Sequence, residues 1–250
     1  MKHQQKFLLP EATDTPPPFS LSLRGQDAKH ICRVLRAEID DTLCFTDGKG
    51  KDFTGQIREI SPKAVEIEIQ TQTESQTESP LELTLCCGLL KHQKMDKLIK
   101  ELSQLGVTRL LPFSCQRSIP DLDPKKLNKR MERWQTIAKE ALKQCRRSRV
   151  MEICSPLPFK EILDLSQNQE EKIIFWEHSA HPLARLRQKK EKKIARAMVL
   201  IGPEGGLAEQ EVQRAQDTGF KAYSLGPRIL RAETAAVTAA ALVQHLLGDL

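Results

Sequence analysis

The chain is poor in aromatic residues and lacks several common signatures of binding sites. Only 4% of its 250 residues are aromatic, with one Tyr and two Trp, so RNA contacts that rest on several stacked bases would have few platforms. Its seven cysteines are an odd number without a C-x-x-C pair, which argues against a disulfide framework and a zinc site. Histidines, cysteines and carboxylates show no ligand spacing typical of a metal site. We therefore expect no metal and a reducing, cytoplasmic location.

Long apolar runs are also absent. No run approaches the length that spans a bilayer, and the N-terminus, which starts with Met1-Lys2-His3-Gln4-Gln5, has no apolar signal-peptide core. We therefore expect neither membrane insertion nor export. The 39% of hydrophobic residues suffices for a sizeable core. The net charge of +6 favours a polyanionic partner, although many basic proteins never bind nucleic acid.

The chain is organised around residues 199–248, where the pattern of strand, glycine turn and helix occurs twice. Short apolar runs that end in Gly-Pro are typical of buried parallel strands entering a tight turn. The first unit is predicted to consist of strand 199–201, the turn Gly202-Pro203 and helix 208–219. The second is predicted to consist of strand 222–225, the turn Gly226-Pro227 and helix 229–247. Because Ala208 cannot cap a helix with its side chain, we expect the first helix to start weakly.

Glycine turns between strand and helix let backbone amides approach a ligand at the carboxyl edge of a parallel sheet. Most such turns only reverse the chain. Here two lie close together, and the second carries Arg228 and Arg231 near a helix start, where cations oppose the helix dipole. Neither turn fits a P-loop or the G-x-G-x-x-G fingerprint. A ligand site is favoured, and a triphosphate ligand is disfavoured.

These two segments carry a resemblance to a known family. Gly202-Pro203-Glu204-Gly205-Gly206, followed by the sequence LGPRILRAETA over 225–235, resembles the motif pair of the RsmE family, bacterial small-subunit ribosomal RNA uracil-N3 methyltransferases of the SPOUT superfamily. The resemblance implies an α/β parallel sheet with a C-terminal trefoil knot and a homodimer, although chain topology in general would exclude a knot. It also implies methylation at N3 of a specific uridine in the decoding region of 16S rRNA in the small ribosomal subunit. The implied S-adenosylmethionine site consists of Gly202, Gly205, Gly206, Leu225, Gly226 and Leu230.

The first part of the chain has the pattern of a small β-barrel or sandwich. Two alternating runs, 42–46 and 53–57, flank a glycine-rich turn and predict a hairpin, and apolar residues alternate again from Val65 to Ile69. The polar repeat 71–80 is interpreted as a loop or linker. We therefore divide the chain into domains 1–73 and 80–250.

A short helical stretch, 23–36, carries cations that could face either solvent or a nucleic-acid backbone. The family resemblance implies that this first domain is a PUA-like RNA-binding domain. Its candidate RNA-binding residues are His30, Arg33 and Arg36.

The second domain should begin with the apolar strand 81–90 and continue with alternating helices and strands. Amphipathic spacing predicts helices over 91–105 and 125–144, and apolar runs predict strands over 110–113 and 173–176. Three exposed polar positions can be explained in two ways each. Arg117 either belongs to an ordinary connection or binds RNA. Arg147 either stabilises a helix end or makes an RNA or catalytic contact, and Glu177 either ends a strand or binds a ribose hydroxyl.

The implied reaction requires loss of the uracil N3 proton, so it needs a base or a group that stabilises the uracil anion. We expect Arg231 to stabilise that anion and Arg228 to contact RNA. Glu233 could act as the base, orient Arg231, or only favour the helix dipole. Two other classes remain open, a catalytically silent ribosome-binding protein and an α/β nucleotide-binding enzyme.

Overall fold

The computed structural model describes residues 5–10, 15–91, 93–118, 123–183, 186 and 193–250. Residues 1–4, where no signal-peptide core was found, lie outside these ranges. The chain forms two units. The first comprises Met1–Glu78 and Leu142–Val150, and the second comprises Ser79–Ala141 and Met151–Leu250.

The first unit contains, within the described residues, a five-stranded sheet with the order β1-β3-β4-β5-β2. Its strands β1 to β5 are Lys6–Leu8, Phe19–Arg24, Thr42–Thr46, Lys51–Ile60 and Ala64–Glu74. Strand β1 pairs with β3 in parallel, and the other neighbours are antiparallel. The predicted hairpin is confirmed as β3 and β4, and the Asp47 carboxylate closes it by accepting hydrogen bonds from the amides of Lys49, Gly50 and Lys51. Closure of this sheet into a barrel stays a prediction.

The predicted helical stretch 23–36 is divided between three structures. Strand β2 continues to Arg24, helix α1 covers Gly25–Lys29, and a π-helical turn covers His30–Leu35. Arg36 then adopts a left-handed conformation with φ of 50°. In the core of this unit, the alternating side chains of Val65, Ile67 and Ile69 are fully buried.

The interpretation of 71–80 as a loop is wrong for its first residues, because β5 continues to Glu74. Thr71 pairs with Thr54, and their hydroxyl groups lie 2.6 Å apart. This end of β5 is exposed. It is therefore held by its ladder of backbone hydrogen bonds rather than by burial, which a hydrophobic pattern cannot reveal.

The second unit contains a parallel sheet with the order β12-β10-β11-β6-β7-β8, to which β9 adds by pairing with β7. In the described part of the chain its strands β6 to β12 are Glu82–Gly88, Arg109–Ser114, Glu152–Ile153, Leu157–Pro158, Glu171–Phe175, Arg196–Ile201 and Lys221–Tyr223. The predicted parallel α/β sheet is confirmed. Because the pairs are parallel, the carboxyl ends of β6, β10 and β11 meet at one edge.

Helices connect these strands. Helices α2 to α6 are Lys94–Gln104, Pro124–Cys145, Phe159–Leu165, Glu209–Asp217 and Ala232–Leu247, and a 3-10 turn covers Ser166–Asn168. The last helix begins three residues later than predicted, because Arg231 is extended with φ of −63° and ψ of 148° and serves as its N-cap. The apolar residues Ile229 and Leu230 continue the helical pattern and so gave no boundary signal.

None of the helices in the described ranges is long and apolar enough to span a bilayer.

Candidate functional site

A cleft of about 490 Å³ opens at the carboxyl edge of the parallel sheet. It lies where β10, β11 and β12 end, and the two predicted glycine turns form much of its wall. We call 202–206 the first glycine loop and 225–231 the second glycine loop. The lining residues are Lys94, 175–177, 201–204, Gly206, Leu207, 225–232 and Ala235.

The first glycine loop is a tight backbone turn with little room for side chains at two positions. The amide of Gly206 donates a hydrogen bond of 2.9 Å to the Pro203 carbonyl, and Gly206 has φ of +70°. A Cβ on Gly206 would lie 3.0 Å from Glu177 Oε1, and one on Gly202 would lie 3.1 Å from the backbone of Leu207. The loop therefore presents backbone to the cleft, with the Glu177 carboxylate beside it.

Gly205 faces a different neighbour, the loop that carries Arg117. Arg117 Nη1 donates a 3.3 Å hydrogen bond to the Gly205 carbonyl, and a Cβ on Gly205 would lie 3.1 Å from the Arg117 backbone. Gly205 is absent from the cleft lining as described. Arg117 is exposed and is held beside the first glycine loop by this hydrogen bond. RNA binding by Arg117 stays a prediction.

Glu211 joins the Arg117 loop to the start of α5. Its buried carboxylate accepts hydrogen bonds of 2.9 Å from the amides of Gln116 and Ala208. The second bond caps the helix start that we expected to be weak at Ala208. Sequence reasoning missed this role, although a glutamate at the third helical position is one half of a capping box and could have indicated it.

The second glycine loop places its two arginines at the cleft. Gly226 has φ of +102° with no atom within 4 Å of an added Cβ, so it allows the turn without crowding. Leu225, Gly226, Arg228, Leu230 and Arg231 all line the cleft. Both arginines are exposed, and Ile229 between them is 86% exposed.

Glu233 lies behind this loop, facing Lys94. Lys94 Nζ is 3.4 Å from Glu233 Oε2 and 3.1 Å from Glu204 Oε1. The hydrogen bond to Glu204 raises the pKa of Lys94. Partial burial opposes ionisation of Glu204, but hydrogen bonds from its own amide, from Lys94 and from the Lys91 amide outweigh burial and lower its pKa. Sequence reasoning did not identify Lys94.

The candidate RNA-binding residues of the first unit lie on the π-helical turn and just after it. Arg33 and Arg36 are exposed, beside Val34 with 65% exposure. His30 is half-buried, with Nε2 hydrogen-bonded to Gln5 Oε1 at 2.7 Å and its ring against Phe7. Arg33 and Arg36 are therefore available to a ligand, whereas the His30 ring is engaged within the unit.

Arg147 is also engaged within the first unit. Its guanidinium forms a forked pair with Glu78 Oε2, at 2.8 Å from Nη2 and 3.2 Å from Nε, and its side chain is 6% exposed. Glu78 Oε1 accepts the amides of Ser148 and Arg149 as well. A buried guanidinium that pairs in this way is not presented to phosphates, which favours a structural role for Arg147 over RNA binding.

Among the described residues, no group of three or more His, Cys, Asp or Glu side chains is arranged to hold a metal ion.

Two parts of the chain match models of a known class of protein. Residues 77–244 match the family model described as RNA methyltransferase domain, and residues 23–70 match the one described as RNA methyltransferase PUA domain. The class is therefore that of the RNA methyltransferases.

Relatives narrow the class to one family. Ribosomal RNA small subunit methyltransferase E of Bacillus subtilis is 29% identical over 243 residues, 92% of this chain and 93% of the relative. The protein of the same name from Buchnera aphidicola is 31% identical, over 91% of this chain and 88% of the relative. A crystal structure of ribosomal RNA small subunit methyltransferase E from Neisseria gonorrhoeae bound to S-adenosyl methionine is 32% identical, with a TM-score of 0.85 over 99% of this chain and 100% of that one. The chain belongs to the RsmE family, and the resemblance of its two glycine loops is confirmed.

Proposed function

We propose that this chain transfers a methyl group from S-adenosylmethionine to N3 of a specific uridine in the decoding region of 16S rRNA, within the small ribosomal subunit. One observation carries the proposal. Both family-typical loops line a single cleft at the carboxyl edge of the sheet, in a fold that matches a relative with S-adenosyl methionine bound.

The cleft suits a cofactor of this size and chemistry. Its volume of about 490 Å³ lies within the roughly 300–1,000 Å³ typical of small-molecule sites. Five proposed cofactor-binding residues, Gly202, Gly206, Leu225, Gly226 and Leu230, line it. We propose that they bind the cofactor largely through backbone groups and that Glu177 accepts a hydrogen bond from a ribose hydroxyl. Gly205 would contribute through its contact with Arg117.

The chain's own residues would supply charge stabilisation and positioning. When bound, the cofactor provides an electrophilic methyl group. Arg231, exposed at the cleft and fixed as the N-cap of α6, would stabilise the negative charge that develops on uracil when the N3 proton leaves. Glu233 pairs with Lys94 instead of lining the cleft, which favours a positioning role for it over that of the base.

RNA would be bound by exposed cations in both units. Arg117 and Arg228 lie beside and within the wall of the cleft, and Arg33 and Arg36 are exposed in the PUA-matching region. We expect the affinity for RNA to fall steeply with salt, because each phosphate contact releases counterions.

The remaining features of the proposal concern the whole molecule. We propose that the C-terminal region forms a trefoil knot, that the protein is a cytoplasmic homodimer, and that α6 contributes to the dimer interface. The small side chains along α6 and its exposed Leu242 support that interface.

The test uses small ribosomal subunits that lack the modification. They are incubated with the protein and methyl-labelled S-adenosylmethionine, and the labelled base is mapped. We expect one N3-methyluridine in 16S rRNA with the wild-type protein, and a loss of at least about 100-fold with Arg231→Ala. Arg214→Ala, an exposed arginine on α5, is the matched control and should keep full activity. Binding to the subunit without methyl transfer would replace the proposal with a silent ribosome-binding function.

A further inference from the structure

Three charged side chains from distant parts of the chain meet at one side of the cleft, and two of them, Lys94 and Glu204, line it. Lys94 is the first residue of α2, Glu204 belongs to the first glycine loop, and Glu233 lies in the first turn of α6. Lys94 Nζ contacts Glu204 Oε1 at 3.1 Å and Glu233 Oε2 at 3.4 Å. We call these three residues the Lys94 cluster.

The Lys94 cluster contains two carboxylates and one cation. Both carboxylate oxygens lie within 3.4 Å of the same nitrogen, so they are also close to each other. Burial first, and then the charges of Glu204 and Glu233, raise the pKa of the neighbouring Cys87 thiol. Without a cation between them, like charges at this separation would repel. Lys94 therefore contributes an attraction and removes a repulsion.

Each carboxylate is attached to a different wall of the cleft. Glu204 is followed at once by Gly205 and Gly206, and the Lys91 amide donates a 3.3 Å hydrogen bond to Glu204 Oε1. Glu233 follows Arg231, the N-cap of α6. The position of Lys94 Nζ thus affects both the backbone of the first glycine loop and the residue proposed to stabilise the uracil anion.

We infer that Lys94 is a positioning residue that holds the first glycine loop and the start of α6 in register through Glu204 and Glu233. It acts on the cofactor through these two carboxylates. The inference rests on the proposed function only for the identity of that cofactor.

Helix α2 offers a matched control. Lys97 is one turn further along the same helix, is 73% exposed, and pairs only within the helix, with Glu101 at 3.6 Å in the described structure. Lys97→Met and Lys94→Met make the same chemical change. Only Lys94→Met removes a cation from between the two walls of the cleft.

The first measurement needs no ligand. Hydrogen exchange is followed at the amide of Gly206, bonded to the Pro203 carbonyl, and at the amide of Ala235, bonded to the Arg231 carbonyl. Lys94→Met should speed exchange at both amides by about tenfold, and Lys97→Met should leave both unchanged. Lys94→Arg, which keeps the charge, should lie within about threefold of wild type. Unchanged exchange in Lys94→Met, or a change at only one of the two amides, would overturn the inference.

The second measurement is S-adenosylmethionine binding by calorimetry, combined with kinetics. Partly exposed ion pairs contribute only modestly, so loss of both should weaken affinity about 5- to 10-fold. KM for the cofactor should rise by a similar factor, with kcat within about threefold, and Lys94→Arg should restore KM. The triple variant Lys94→Met, Glu204→Gln, Glu233→Gln should bind no more weakly than Lys94→Met, because the three residues act as one unit. Additive losses would overturn the inference.

The two measurements separate this inference from the proposed function. If wild type binds no S-adenosylmethionine, the proposed cofactor fails, while the exchange data still decide the role of Lys94. If Lys94→Met does not fold, the Lys94→Arg variant tests the inference instead. A role that depends on the positive charge predicts that arginine keeps both the slow amide exchange and the cofactor affinity, and loss of either would contradict it.

Discussion

Gly88→Ala should displace the first glycine loop without changing any residue of the loop itself. Gly88 ends β6 and is buried. A Cβ at this position would lie 2.4 Å from Pro203 N, 2.5 Å from Pro203 Cδ and 2.8 Å from Pro203 Cβ. These atoms belong to the backbone and to a rigid ring, so no flexible side chain can turn away. The first glycine loop must shift to make room.

The size of the effect follows from the crowding. Carbon atoms in contact are favourably spaced at about 3.5–4.0 Å, so the loop must move by roughly 1 Å. Inserting a methyl group into a packed core typically costs about 1–3 kcal/mol. Each kcal/mol lowers Tm by about 2–4 °C in a chain of 150–250 residues, so we expect Tm to fall by about 2–12 °C. Displacement of Gly202 and Gly206 should also weaken S-adenosylmethionine binding by at least about tenfold.

The assay combines thermal unfolding with calorimetric titration of the cofactor. The control is Gly25→Ala, where an added Cβ has no atom within 4 Å but φ is +67°. It tests backbone strain without crowding, and it lies in the first unit, so it should lower Tm modestly and leave cofactor affinity unchanged. If Gly88→Ala melts and binds like wild type, the close approach of Gly88 to Pro203 does not position the loop.

The remaining predictions concern two ionised groups. Glu78→Gln should lower the free energy of unfolding by about 3–5 kcal/mol in denaturant titrations, because it removes the carboxylate that pairs with the buried Arg147 guanidinium; a loss below about 1 kcal/mol would contradict this. Folding lowers the pKa of Glu204 below the ordinary glutamate value of 4.5. The ionised carboxylate therefore stabilises the folded state fully at pH values above 4.5. This stabilisation is lost as the pH falls from 4.5 through the lowered pKa. Stability measured against pH should show this acid loss in wild type and a smaller one in Glu204→Gln; identical curves would count against it.

The glycine loops and the sheet could be predicted because their causes are local. Gly206 has φ of +70° and Gly226 has φ of +102°, and such backbone conformations restrict the residue type directly. Buried parallel strands such as β11 are apolar along their length, which the sequence displays. These features need no knowledge of distant residues.

The charged contacts could not be predicted because they form between distant residues. Lys94 and Glu204 are 110 residues apart in the sequence, and Arg147 and Glu78 are 69 apart. In the sequence, Arg147 is one cation among several at a helix end, and only its burial against Glu78 in the folded unit distinguishes it from a phosphate-binding residue. The late start of α6 could not be predicted either. Ile229 is apolar, which favours its inclusion in the buried helix, yet it lies exposed beside the cleft.

The most direct test of the account is a crystal structure of the protein with S-adenosylmethionine. We predict that the cofactor lies in the cleft between the first and second glycine loops, with its methyl group directed towards the space beside Arg231 and a ribose hydroxyl within hydrogen-bonding distance of Glu177. A cofactor bound elsewhere, or a cleft that stays empty at saturating cofactor, would contradict the assignment of this site.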